Sequence, residues 1–356
     1  MNRAAVGRIA RAMLYEGYAL YPYRPSSAKN RHRFTFGALF PKGFADRNGE
    51  PWSLQTEVLA RGSDPVLEAS VCFLHLVGRK EWQEAIEREF PIPAQRLREL
   101  PARKVPFSFA PQKGQVEVSG IAAISVARCS ADLFRITLQV SNQGECDALA
   151  SRDAALPHAL VSAHVLLGVR EGVFVSLLDP PQDARGPAEA CRNRGVFPVL
   201  VGSDTMLSSP IILYDNPAIA PESQGDLFDA TEIDEILSLR ILTLTEAEKC
   251  EARAADPRVC ELIDRTEKLS GAELARLHGA PRGPLKPGAH VRIKPRAGSD
   301  VLDLALAGRD ATVASIEQDY EGRLYVTVTV DDDPGKDLGP FGHRFFFRPE
   351  EVEPLP

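Results

Sequence analysis

The chain has no apolar run approaching the roughly 20 residues needed to span a bilayer. Its first residues, "MNRAAVGRIARAML", set Val6, Ile9, Met13 and Leu14 on one helical face. They lack the continuous apolar centre of a secretory leader. These absences predict a cytoplasmic protein with no membrane span. The six cysteines, at positions 72, 129, 146, 191, 250 and 260, form no C-x-x-C pair. In a cytosolic chain that spacing predicts reduced, mostly buried thiols rather than a disulfide framework. No G-x-S-x-G elbow is present. Neither a Walker loop nor a G-x-G-x-x-G fingerprint follows any strand pattern, so nucleotide binding has no support and no cofactor is expected. An excess of positive charge is also missing. Lys and Arg number 42 against 49 Asp and Glu, a net charge of −7, which argues against a general nucleic-acid binder.

What is present is an ordinary globular composition, 44% apolar over 356 residues, enough for more than one core. "LEASVCFLHLVGR" (67–79) is rich in strand formers. In "KEWQEAIEREF", Trp82, Ala85, Ile86 and Phe90 fall at helical spacing, predicting a short amphipathic helix ended by Pro91 and Pro93. Two strands should flank a turn near Ser130–Asp132, where Ile136, Leu138 and Val140 alternate with polar residues. "ALVSAHVLLGVREGVFVSLLDPP" reads as a hairpin turning at Arg170–Gly172, with Gly172 free to take positive φ. "VFPVLVG" and "SPIILYDNP" read as two further short strands, stopped by Gly202 and by Asn216–Pro217. Many short strands at this spacing predict an antiparallel sandwich-like body with small helices over residues 1–228.

From Asp229 the period becomes helical. Asp229 or Thr231 is placed to cap a first helix with an apolar stripe of Ile233, Ile236, Leu237 and Ile241. Thr245 and Glu248 form a capping box for a second, and Pro257 starts a third. The segment 229–282 is acidic overall. "GAPRGPLKPG" (279–288) reads as a linker. Residues 283–356 then show short strands in "AHVRIKPR", in a hairpin turning at Glu321–Gly322 and in "HRFFFRPEEVEPL". They fit a small barrel of the SH3 type. The predicted class is therefore α+β and β-rich, in three parts.

Candidate chemistry is thin. His158, His164 and Cys191 are the only plausible actors for a metal-dependent or cysteine enzyme, and each has a packing role open to it. Asp331, Asp332 and Asp333 could hold a hard cation, form a solvated turn or dock a basic partner. The densest feature is "LYEGYALYPYRPSSAKNRHRFTFG" (14–37). It holds four of the seven tyrosines and one carboxylate. Tyr21, Tyr23, Arg24, Lys29, Arg31 and Arg33 would suit a partner-binding loop, since Tyr and Arg are enriched at hot spots. Alternatively, the tyrosines pack on the body and the cations solvate the loop.

That segment, together with "SSPIILYDNPAIAPESQGDLFDATEIDEILSLRILTLTEAEK" and "VTVDDDPGKDLG", resembles an uncharacterised family encoded in gene clusters of nickel–iron hydrogenases. The resemblance runs over nearly the whole chain. It implies a role in making, assembling or serving a hydrogenase and transfers no catalytic residue. The expected function is a non-enzymatic accessory protein whose partner is a hydrogenase subunit or maturation protein. A metal-dependent or cysteine enzyme of maturation, and an RNA-binding protein using the small barrel, are the alternatives.

Overall fold

A computed structural model describes residues 3–77, 82–111, 114–220, 223–229, 231–277, 285, 287–295, 305–318, 324–335 and 343–355. Helix α1 (Arg3–Leu14) precedes the tyrosine-rich stretch, and a short helix α2 (Lys42–Asn48) follows it. Then come strands β1 (Ser53–Arg61), β2 (Val66–Val77), β3 (Glu84–Arg96), β4 (Arg103–Phe109), β5 (Val118–Arg128) and β6 (Leu133–Asn142). After one helical turn, α3 (Arg152–Ala155), the chain forms β7 (Val161–Arg170), β8 (Val173–Val175), α4 (Arg185–Glu189), β9 (Phe197–Leu200) and β10 (Thr205–Ser209). Helices α5 (Asp234–Leu242), α6 (Glu246–Ala255) and α7 (Pro257–Glu267) complete a first compact unit, Met1–Lys268. The second unit, Leu269–Pro356, holds α8 (Gly271–Leu277), β11 (His290–Ile293), β12 (Asp310–Gln318), β13 (Leu324–Val330), β14 (Phe345–Phe347) and β15 (Val352–Pro354).

The protein is α+β and β-rich, with three five-stranded antiparallel sheets. In the first unit the strand orders are β4-β5-β6-β1-β8 and β3-β2-β7-β10-β9. Alternation along each strand sends one set of side chains into a shared core. Val58, Ile136 and Leu138 from one sheet meet Val71, Phe73 and Val165 from the other. A buried hydrogen bond between the hydroxyls of Thr56 and Ser208, 2.7 Å, joins the sheets through that core. On β5, Gly120 lies opposite Phe107 of β4, whose ring occupies the space a Cβ would need. A side chain at 120 would therefore displace the ring.

Three sequence expectations fail here, each for a reason of long-range pairing. The segment predicted as a helix is strand β3, which pairs with β2 from Val66↔Arg96 to Val77↔Glu84. It is an edge strand, so Pro91 and Pro93 sit in it without breaking a ladder on the open side. The hairpin expected at Arg170–Gly172 is a crossover: β8 leaves β7's sheet and pairs with β1, Leu59↔Val175. At its turn the positive φ belongs to Glu171, at 58°. Gly172 is required by space instead, since a Cβ there would stand 2.6 Å from the Arg61 carbonyl oxygen. Finally, the strand expected in "SPIILYDNP" is absent. The partner of β9 is β10, which follows it after a short turn, and residues 211–217 run as an irregular segment.

The helical segment follows its signals closely. Thr245 and Glu248 form the capping box of α6, and Pro257 stands at the start of α7. The first cap differs: Ile233 precedes α5 and no side chain caps it. Asp229 and Thr231 are occupied elsewhere, as described below. In the second unit the sheet order is β14-β13-β12-β11-β15, with a 3-10 turn at Pro349–Glu351 before β15. Val291, Val313, Val326, Val328 and Phe347 form its core. No pairing closes this sheet among the described residues. Most of the predicted linker, and the turn at Glu321–Gly322, lie outside the described residues. No described helix is long and apolar enough to cross a membrane.

Candidate functional site

The tyrosine-rich stretch leaves α1 at Tyr15 and turns at Gly17, which takes φ +75° so that its N–H reaches the Phe228 carbonyl, 2.8 Å away. From there the chain becomes a seat for the helical segment. Tyr15, Tyr18, Tyr23 and Phe34 are buried in one cluster with Phe228, Ile241, Val259 and Leu262. Their rings meet edge to face, Tyr15 on Tyr18 at 5.2 Å and Tyr18 on Phe34 at 5.9 Å.

The polar groups around Tyr18 have partners within this seat. Tyr18 donates its hydroxyl to Asp256 Oδ2 at 2.6 Å, and the indole N–H of Trp82 points at the same oxygen from 3.4 Å. Asp256 Oδ1 accepts the backbone N–H of Arg258, capping α7. Arg258 donates to the Tyr15 hydroxyl at 2.7 Å and lies over that ring. Arg33 is buried. It donates to the carbonyl oxygens of Tyr18 and Gln83, and its guanidinium lies 3.7 Å over Trp82. Burial lowers its pKa to about 10, opposed by the negative charge of Asp256. Burial also pushes the phenols of Tyr15, Tyr18 and Tyr23 well above their ordinary value.

A second set of contacts ties the same stretch to residues just before α5. Tyr23 donates to the Leu227 carbonyl at 2.8 Å. Buried Asp229 accepts from the Tyr21 N–H at 2.9 Å and from Lys29 Nζ at 2.7 Å. Thr231 donates to the same carboxylate through its N–H and hydroxyl. Burial alone would raise the Asp229 pKa, but these donors outweigh it and hold the group below the usual carboxylate value. Arg24 pairs with Glu248 of α6 at 3.1 Å. Of the six sequence candidates, Tyr23 and Arg33 are thus interior. Arg24 and Lys29 are engaged by carboxylates of the same chain. Tyr21 is half-buried under Arg240 of α5, and Arg31 is exposed.

The outer face of this assembly is where chemistry toward a partner remains. Helix α5 turns Leu237 and Ile241 into the core. Its other side shows Ile236 and Leu239 to solvent at 41% and 46% exposure, and Ile233, just before the helix, is 62% exposed. Spaced by three, they form one stripe. Glu232, Asp234 and Glu235 stand along it, Glu232 paired with Arg240. The apolar stripe expected from Ile233, Ile236, Leu237 and Ile241 is divided, with only Leu237 and Ile241 buried. The signal for that division was the helix's own surplus: apolar residues at 233, 236, 237, 239 and 241 cover more than one face. Asp256 and Trp82 were also missed, since nothing local links them to Tyr18.

The other candidates lie apart. His164, on β7, faces α1 and donates its Nδ1–H to the Ser162 carbonyl, 3.0 Å away. Cys191 packs on the outer face of the other sheet with Leu59, Leu133 and Val175. Both sheets therefore separate it from His164. Its pKa is raised to about 11, by burial first and then by Glu57. His158 ends a 3-10 turn and offers its carbonyl to Asn142. Among the described residues no group of three or more His, Cys, Asp or Glu is placed to hold a metal ion. In the second unit, Thr312 donates to Asp331 at 2.8 Å. Arg309 pairs with Asp332 at 3.2 Å, and His343 meets Asp333 at 3.0 Å.

No protein-family model matches this chain, and no curated protein matches it either.

Proposed function

We propose that this chain is a non-enzymatic accessory or assembly protein that binds a subunit or a maturation protein of a nickel–iron hydrogenase through the outer face of α5. The observation that carries binding is the exposed stripe of Ile233, Ile236 and Leu239 on a helix whose opposite side is locked to the body. Large apolar side chains held in place at the surface mark contact sites, and a fixed frame lowers the ordering cost of binding. Tyr21 lies under Arg240 of α5 and Lys29 donates to Thr231 just before it, and with exposed Arg31 they would meet the partner's rim. The hydrogenase setting rests on the three resembling segments. The two-sheet body is read as sandwich-like. The second unit is read as a small SH3-type barrel, a reading supported by its strand order and by the 3-10 turn before β15. No cofactor enters the proposal.

The test is affinity purification from the native host grown under hydrogenase-inducing conditions, comparing the wild type with an Ile236→Asp/Leu239→Asp variant. The expected result is hydrogenase components with the wild type and their loss with the variant. Each anchor removed should weaken binding by about 1–2 kcal/mol or more. An exposed pair should leave the melting temperature nearly unchanged, since surface changes cost within about 0.5 kcal/mol. Equal recovery of the same proteins by both forms would refute the assignment of the face. Recovery of none by the wild type would refute the setting.

A further inference from the structure

The most exposed large apolar side chains of the described residues are away from α5, on the segment after β10. Tyr214 is 87% and Ile212 is 74% exposed. Leu213, between them, packs inward against the cluster under α1. This alternation holds Ile212 and Tyr214 outward together. The segment is also pinned. Asp215 accepts the Leu200 N–H at 2.8 Å and the Ser176 hydroxyl at 2.5 Å. Asn216 donates its N–H to the Leu200 carbonyl at 2.7 Å and accepts from Gly202 N–H at 2.9 Å. Tyr214 is therefore presented on a frame tied to β9 and to the loop after β8.

Beside this frame runs a groove of about 360 Å³ between α1 and residues 216–219. Ile9, Val201, Pro217 and Ile219 supply its apolar wall, and Arg8 is the only charged side chain lining it among the described residues. Arg8 is exposed and has no ion-pair partner among the described residues. In a chain of net charge −7, a cation without an ion-pair partner that lines an apolar groove selects for one sign of partner. The volume is at the low end of the range for small-ligand sites, roughly 300–1,000 Å³, and suits a few side chains.

We propose that this groove and the Ile212/Tyr214 ridge dock an acidic, apolar polypeptide segment of another protein. Its aliphatic side chains pack on Ile9, Val201, Ile219 and Tyr214, and a carboxylate pairs with Arg8. This surface is built from α1, the turn between β9 and β10 and the segment after β10, so it stands or falls independently of the α5 face.

The test titrates the full chain with short labelled peptides, read by fluorescence anisotropy. The peptides carry leucines among glutamates, among glutamines or among lysines. The glutamate peptide should bind tightest and the lysine peptide weakest. Arg8→Glu should weaken the glutamate peptide by about tenfold, equivalent to about 1.4 kcal/mol, and leave the glutamine peptide unchanged. Tyr214→Ser should weaken both. Thermal melts of the two variants should match the wild type, because both side chains are exposed. Equal binding of glutamate and lysine peptides would overturn the proposal. So would an Arg8→Glu variant that binds like wild type, or no signal with the glutamate peptide up to about 1 mM, near the weakest affinity of interest.

Discussion

Removing one oxygen atom from Tyr18 should loosen the attachment of α7 to the rest of the first unit. Tyr18 is fully buried, and its hydroxyl is 2.6 Å from Asp256 Oδ2. Asp256 is almost wholly buried too, and its charge is felt by both Arg33 and Arg258. In Tyr18→Phe the ring packing survives, but a buried, charged acceptor loses its shortest bond. A hydrogen bond to a charged group is worth about 1.5–3 kcal/mol, so that is the expected loss. Asp256→Ala should cost more, about 3–5 kcal/mol, because it removes the buried charge, strands the donors of Tyr18 and Trp82, and uncaps α7. The double variant should fall short of the sum by about 1.5–3 kcal/mol, since the Tyr18 bond cannot be lost twice. Urea titration followed by tryptophan fluorescence suits the measurement. Both tryptophans, Trp52 and Trp82, lie in the first unit, and Trp82 is part of the network. The midpoint should fall while the slope stays constant. A Tyr18→Phe shift within about 0.5 kcal/mol, or singles that simply add, would show that the bond contributes nothing net.

The arginines of the same stretch should separate sharply. Arg33→Ala opens a space on Trp82 and leaves two carbonyls unpartnered, for a loss of about 2–4 kcal/mol in the same assay, whereas exposed Arg31→Ala should stay within about 0.5 kcal/mol. Acid should destabilise the first unit by forcing buried, neutral histidines to take up charge. Burial holds His75 and His164 below the ordinary histidine value, so the unfolded chain takes up protons first as pH falls below about 6.5. Stability should therefore be full above that pH and decline beneath it. A flat profile between about pH 7 and 5 would refute the buried, neutral state of these rings. At the other extreme, the raised phenols of Tyr15 and Tyr18 favour the folded protein only while protonated. Stability should fall as pH rises past about 10, measured as a drop in melting temperature that Tyr18→Phe makes shallower.

Much of the architecture was legible along the chain because its causes are local. The turn at Ser130–Asp132, the alternation through Ile136, Leu138 and Val140, the capping box at Thr245 and the proline opening α7 need only neighbours a few residues away. What sequence could not decide is where pairing or burial is settled by distant residues. The stretch Trp82–Phe90 satisfies a helical period by count. The row of hydrogen bonds offered by β2 makes it a strand, and its edge position tolerates the prolines. β8 looks like the return arm of a hairpin, yet β1 captures it. Arg31 and Arg33 are two positions apart in one basic run. One is solvated and the other interior, because Trp82 and the carbonyls of Tyr18 and Gln83 converge on the second. Asp256 lies 238 residues from the hydroxyl it accepts. Composition and period alone determined that this chain is β-rich, with an acidic helical segment and no apolar span. Tertiary structure decided which charges are buried and which apolar side chains are left outside, because burial depends on what the rest of the chain brings to the same place.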